Sequence, residues 1–405
     1  MPLSPQALHE TFACIQCGYC IDICPAVHQE GMGFERSNPR GKIRPLKNEF
    51  NKLPIISSFL QRKYINQDYF ESLYHCTECG ACDDVCYVNI PLSRLWEETK
   101  EWLMEEKGME PLPAHATLYD NVKESHNLYG KPHSERKSWI PKDLKLTPQS
   151  PDYVLFAGCT SSYLKQEAAV AVLRILQKAG VTFDVLSDEW CNGSPMIRLG
   201  FGPLFREELL LHNMKEFERK HARNVLTMCA SCYMTLGREY EKYGGRVTWK
   251  VVHISQVVRD LLKKKALKFP AAVKKIKVTY HDPAHLGRVM GEYDAPRDAL
   301  KGIPGVELVE MEHSRIAAFD CGATGGFREA FPDQATNVAA VILKEAIRTG
   351  AEIIVTGCTF CSLHLNAAAQ ALNLEIRTLG IEELVMWAME PTAPLPTGAM
   401  AVAAK

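Results

Sequence analysis

Eight cysteines in two matching phrases constrain this chain more than any other feature. The first reads Cys14-x-x-Cys17-x-x-Cys20-x-x-x-Cys24-Pro25, and the second Cys76-x-x-Cys79-x-x-Cys82-x-x-x-Cys86, with Tyr87 in the proline's place. Three thiols two residues apart can wrap a tight loop around three corners of one iron–sulfur cube, while a fourth, after a longer step, reaches the neighbouring cube. The spacing therefore predicts two [4Fe-4S] clusters, one on Cys14, Cys17, Cys20 and Cys86, the other on Cys76, Cys79, Cys82 and Cys24. Disulfides would waste the duplication and suit an oxidising compartment, and zinc sites generally use Cys-x-x-Cys pairs or Cys/His mixtures.

Composition narrows the setting. The chain has 405 residues, enough for two or three domains, with 46% apolar and 23% charged residues. A net charge of −1 offers no field to attract nucleic acid or an anionic membrane. No apolar run is long enough for a transmembrane segment, and the N-terminus lacks the basic and apolar regions of a secretory signal. Cytoplasmic residence is expected, with peripheral attachment to a membrane through a partner left open.

Local patterning divides the chain. Ser4-Pro5 suits a helix start, and Leu92, Leu95, Trp96, Trp102 and Leu103 recur at helical spacing before a stop at Gly108. Residues 1–108 are therefore expected to form an α-helical ferredoxin domain with its tryptophans in the core. Six prolines punctuate residues 109–150, a linker with one helix near His115–His126. Beyond it, strands are expected at Tyr153–Ala157, Thr182–Leu186, Asn224–Met228 and Lys250–Val252, with helices at Tyr163–Ala179, Phe205–His221 and Ile254–Lys264. The pattern restarts with strands at Lys277–His281, Val306–Met311, Glu352–Thr356 and Glu375–Thr378. Cys229-x-x-Cys232 recurs as Cys358-x-x-Cys361 and Gly193 as Gly322, each at an offset of 129. Two repeated α/β domains, 151–270 and 271–390, and a flexible tail, 391–405, complete the division.

A cysteine, a gap of about thirty residues, a Cys-Cys-Gly, a similar gap and Cys-x-x-Cys is the pattern of the cysteine-rich CCG domain. A tandem pair behind a helical two-cluster ferredoxin resembles the D-type subunit of heterodisulfide reductase, a fused form of the B and C types. It is also similar to the iron–sulfur subunits of glycolate oxidase and anaerobic glycerol-3-phosphate dehydrogenase. Tyr280-His281-Asp282-Pro283-x-His285-Leu286-Gly287-Arg288 carries the resemblance in the second repeat. The resemblance implies an α+β multidomain protein in which a ferredoxin domain with two [4Fe-4S] clusters precedes two α/β CCG domains. It further implies a subunit passing electrons between a flavoprotein and another redox subunit or acceptor.

Departures from the family pattern bear on chemistry. The first repeat keeps Cys159, Cys191, Cys229 and Cys232, with Asn192 where the second Cys of Cys-Cys-Gly belongs. The second keeps Cys321, Cys358 and Cys361, with Asp320 in the Cys-Cys-Gly and Ala284 for the upstream cysteine. Four thiolates suit a further [4Fe-4S] cube or zinc, with a non-cubane cluster or an empty site as the remaining alternatives. Three suit a cluster or zinc with Asp320, His281 or His285 as an added ligand, or a vestigial site of packed thiols. The leading expectation is an electron-transfer subunit of a larger cytoplasmic oxidoreductase. Its alternatives are a catalytic subunit reducing a disulfide at a CCG cluster, with His281 or His285 as proton donor, and a zinc-stabilised assembly module. Gly322-Ala323-Thr324-Gly325-Gly326 lacks the residues of a phosphate loop.

Overall fold

The computed structural model describes residues 3–51, 64–270 and 275–390. The expected tail and part of the connector between the repeats lie outside them. Two compact units emerge. One comprises residues 1–117, 195–202 and 322–338; the other comprises 118–194, 203–321 and 339–405.

Every element of the first unit's N-terminal stretch is helical among the described residues. Ser4 caps the helix Pro5–Ala13, its side chain accepting from the Ala7 N–H at 3.1 Å, with Pro5 supplying a preset φ in the first turn. The helix Leu92–Lys107 buries Leu92, Leu95, Trp96, Thr99, Trp102 and Leu103 along one stripe. It stops at Gly108, whose φ of +62° is the left-handed conformation that ends helices. Residues 195–202 and 322–338 leave the repeats just after Gly193 and Gly322, at equivalent positions, and group with this unit. Phe327, Ala335 and Val338 there pack with Ala26 and Met32.

The second unit holds two four-stranded parallel sheets. Strands β1 (Tyr153–Leu155), β2 (Phe183–Val185), β3 (Asn224–Thr227) and β4 (Lys250–His253) form the first; β5 (Ile276–His281), β6 (Val306–Leu308), β7 (Ile353–Thr356) and β8 (Arg377–Gly380) form the second. The orders, β2-β1-β3-β4 and β6-β5-β7-β8, are the same topology twice. Register runs Val154↔Val225 and Val225↔Val251 in one sheet, Val278↔Ile353 and Tyr280↔Val355 in the other. Helices cover these sheets, so the central strands β3 and β7 read as apolar, β-branched runs buried almost throughout, while edge strand β6, with Glu307 exposed, does not. Ile254, Val257, Val258 and Leu261 make the buried stripe of the helix Ile254–Lys263, at the expected spacing.

Two expected helices are interrupted. The helix expected at Tyr163–Ala179 starts only at Gln166 and runs to Lys178, Tyr163 instead closing the short helix Gly158–Tyr163; between the two, buried Lys165 pairs with Glu383 at 3.1 Å and Glu167 at 3.0 Å. The segment 205–221 opens with a π turn, Phe205–Leu209, before the helix Leu210–Arg219. π turns are rare and gather at functional sites; this one presents Phe205 to Gly193, where a Cβ would approach its ring to 2.2 Å.

Leu226 lies fully buried in central β3, within the core that joins both sheets. Leu226→Ala is expected to cost about 2–5 kcal/mol, read as a lowered denaturation midpoint with metal content retained.

Candidate metal centre

None of the fifteen cysteines is joined in a disulfide. The two ferredoxin phrases fold alike. Gln16 and Gly18 in the first take φ of 57° and 91°, and Glu78 and Gly80 in the second take 52° and 72°. Left-handed residues at the same two steps curl each loop so that its thiols face one point. Cys14, Cys17, Cys20 and Cys86 line a single cavity. Cys82 lies within electrostatic reach of Cys76, Cys79 and Cys24. Burial pushes the Cys20 thiol up to about 11 and Cys76 and Cys82 higher still, so these sulfurs are costly anions unless a cation holds them. A four-cysteine cavity of this kind fits an iron–sulfur cube.

Buried cations flank the second loop. Lys42 Nζ donates to the His75 carbonyl at 2.7 Å, and Lys100 Nζ to Glu78 Oε1 at 2.5 Å and the Arg198 carbonyl at 2.7 Å. Thr324 Oγ1 donates to the Thr77 carbonyl. A Cβ at Gly325 would lie 2.6 Å from the Cys76 carbonyl, so close approach to this loop explains a glycine in the supposed phosphate loop.

The seven remaining cysteines sit at or beyond the carboxyl ends of the parallel strands. In each sheet the chain departs from the first strand to one side and returns on the other, so the crevice between β1 and β3, or β5 and β7, is the switch point where such sheets take ligands. Cys159 follows β1, Cys229 follows β3, and Cys358 follows β7. Cys159 and Cys191 are hydrogen-bonded, as are Cys229 and Cys232, and a Cβ at Gly158 would stand 3.1 Å from Cys232 Sγ. Cys321 and Cys361 Sγ are 3.3 Å apart, and Cys358 touches Cys361. The two sets meet: Cys229 Sγ lies 4.0 Å from Cys358 Sγ. The spacing predicts two separate sites, one per repeat; the structure brings their thiols into contact.

Residues standing where thiols are missing differ in fate. Asn192 accepts from the Ser194 N–H at 2.8 Å and is spent on the turn. Asp282 makes a bidentate pair with Arg297 at 2.8 Å and is structural. His285 Nδ1 bonds Ser231 Oγ at 2.8 Å, and His253 is held by Gly357 O and Ser255 Oγ. His281, Cys321 and Cys361 have donor atoms within 4.8 Å of one another, a group that includes neither Asp320 nor His285. Burial lowers His281 to about 4, so the imidazole is neutral at pH 7. Among the described residues neither of its nitrogens has a hydrogen-bond partner, a deficit worth about 1–3 kcal/mol for each unmet polar group.

Arg136 and Glu189 gave no sequence signal. Arg136 lies buried with its guanidinium 3.7 and 3.9 Å from Cys159 Sγ and 2.7 Å from Glu189 Oε1. Glu189 is pinned in turn by the Ala157 and Gly158 N–H groups at 2.8 and 2.9 Å. The bond from Cys191, followed by the Arg136 charge, pulls Cys159 below the ordinary thiol range against burial.

Parallel α/β repeats with thiols at their switch points, behind a duplicated cysteine loop, define an iron–sulfur redox protein. Residues 10–90 match the 4Fe-4S dicluster domain, and 153–237 and 278–366 match the CCG cysteine-rich domain. The chain is 34% identical over 400 residues to the D-type subunit of the dihydromethanophenazine:CoB–CoM heterodisulfide reductase of Methanosarcina barkeri, covering 96% of each. It is 29% identical over 379 residues to the B-type subunit of the fumarate reductase (CoM/CoB) of Methanothermobacter marburgensis, covering 92% of this chain and 71% of that one. A hypothetical protein from Helicobacter pylori shares the fold at a TM-score of 0.58 and 11% identity, covering 95% of this chain and 73% of its own. The chain belongs to the family of heterodisulfide reductase D-type subunits, and [4Fe-4S] clusters are its cofactors.

Lys100 and Glu78 are both fully buried. Lys100→Met leaves the carboxylate uncompensated beside Cys79 and is expected to cost about 3–5 kcal/mol, with loss of one cluster's EPR signal. Adding Glu78→Met is expected to restore most of the lost stability.

Proposed function

We propose that the chain is the iron–sulfur electron-transfer subunit of a larger oxidoreductase, relaying electrons between a flavoprotein and another redox subunit. The observation that carries this reading is the placement of the fifteen thiols, none in a disulfide, in loops and first helical turns that gather them into metal-sized groups. Relatives named as reductase subunits support a multi-subunit setting. No helix among the described residues is long and apolar enough to cross a membrane, in keeping with a cytoplasmic or peripheral place.

In this reading residues 1–108 are the α-helical ferredoxin domain, with one cube on Cys14, Cys17, Cys20 and Cys86 and the other on Cys76, Cys79, Cys82 and Cys24. Residues 109–150 link it to CCG domains at 151–270 and 271–390. Cys159, Cys191, Cys229 and Cys232 hold a third [4Fe-4S] cluster. A cube supplies one-electron chemistry there; the chain's own contribution is to exclude water and fix the charge around the sulfurs. Buried Arg136 does the latter, favouring the more negative reduced state.

The protein purified anaerobically is expected to bleach in the visible on reduction; a spectrum that does not respond overturns the reading. Arg136→Met is expected to lower one centre's midpoint potential by on the order of 59 mV, equivalent to a tenfold change in its redox equilibrium, with iron unchanged. Arg136→Lys is expected to recover most of that shift in potentiometric EPR titration.

A further inference from the structure

One face of the second sheet buries polar side chains without partners. Val278, Tyr280, Val355 and Leu379 turn to the core shared by both sheets, so the residues alternating with them lie on the other face. In register across β5, β7 and β8, that face carries Thr279, Ile354 and Thr378 in one row and His281, Thr356 and Gly380 in the next. The glycine leaves a space in the second row, and Glu382 fills it: a Cβ at Gly380 would collide with its carboxyl. Glu382 is 1% exposed, and neither carboxyl oxygen has a hydrogen-bond partner outside its own residue. Among the described residues the hydroxyls of Thr279, Thr356 and Thr378 are unpartnered as well. Native interiors leave few such groups unmet, and ordered water bridges those they gather in one place.

The surroundings of this acid say what it can do. Its neighbour Glu383 pairs with Lys165 Nζ at 3.1 Å, and Lys165 reaches the part-exposed Glu167 at 3.0 Å, a charged route to solvent. On the inner side Glu382 lies within electrostatic reach of Cys358, whose sulfur is 4.0 Å from Cys229 of the first repeat. Burial first, then Glu383, pushes the Glu382 carboxyl well above the ordinary carboxylate range; Lys165 opposes the rise and Cys358 adds to it. His281, two strands along the row, is the remaining titratable group on this face. Two strand spacings are about 10 Å, and at that distance a unit charge in an interior of effective dielectric about 20 changes proton affinity on the order of tenfold.

We propose that Glu382 is a redox-linked proton site: when the cluster beside these thiols gains an electron, Glu382 gains a proton drawn from solvent by way of Glu167, Lys165 and Glu383. It returns the proton when the electron leaves. One electron from the flavoprotein partner and one proton from water balance the step; the carboxylate becomes the acid and no other bond changes. The reduced cluster is the more negative, so it strengthens proton binding, and its midpoint potential falls as pH rises. This inference rests on the electron-transfer reading, which supplies the electron.

The test is potentiometric EPR titration of the full-length protein, purified anaerobically with its iron, across about pH 5–9. One centre's midpoint is expected to fall by about 59 mV in all, the equivalent of that tenfold change. Glu382→Gln, which keeps the shape and removes the exchangeable charge, is expected to hold the midpoint constant with iron unchanged. In the wild-type protein, the infrared difference between reduced and oxidised states is expected to show a gain in carboxylic-acid carbonyl absorbance that Glu382→Gln lacks. A flat wild-type midpoint, a drift that survives Glu382→Gln, or reduction without the carbonyl gain overturns the proposal and leaves the relay standing. Iron that does not bleach on reduction defeats the electron-transfer reading and this proposal with it.

Discussion

Everything in the second unit depends on thiols buried at the ends of parallel strands. A buried thiol resists giving up its proton, and a buried thiolate resists having no counter-charge. Cys159, Cys191, Cys229, Cys232, Cys321, Cys358 and Cys361 are all buried; apart from Cys159, whose thiolate Cys191 and Arg136 favour, and Cys358, whose thiolate Cys229 and Cys361 favour, burial leaves them protonated and packed or deprotonated on metal. Metal binding releases the protons and fixes the loops, which links loading of the sites to their folding. The parallel sheet makes this possible, since its switch point leaves a gap that loops from several strands can line.

Charge is handled locally. A cube held by four thiolates is anionic, and the structure meets that with buried cations: Lys42 and Lys100 act on Cys76, and Arg136 on Cys159. Each cation is fixed by a second contact, to the His75 carbonyl, Glu78 or Glu189. Fixed charges of this sort need no reorganisation when an electron arrives, the property a relay requires.

The cysteine spacing made the clusters legible, because ligand sets that wrap one cube are local in sequence. The β-branched runs gave the strands, and the offset of 129 between Cys229 and Cys358 gave the duplication. Arg136 was hidden because it comes from a polar, proline-punctuated stretch without periodicity, and its partners lie 23 and 53 residues away. His281, His285 and Asp320 were indistinguishable as fourth ligands by position; hydrogen bonding separates the two histidines and donor-atom distance sets Asp320 aside. The contact between Cys229 and Cys358 was equally invisible, since pairing of two repeats through matching residues has no linear signature.

That contact explains why the two repeats can differ in chemistry without being independent. With 4.0 Å between Cys229 and Cys358, the charge on either set of thiols acts on the other through a low-dielectric interior, where screening by solvent is weak. The symmetric scaffold supplies the geometry, and the substitutions at Asn192 and Ala284 supply the difference in charge and ligand count. A duplicated site whose halves touch can thus tune one half by changing the other, which a single four-cysteine site could do only by altering its own ligands.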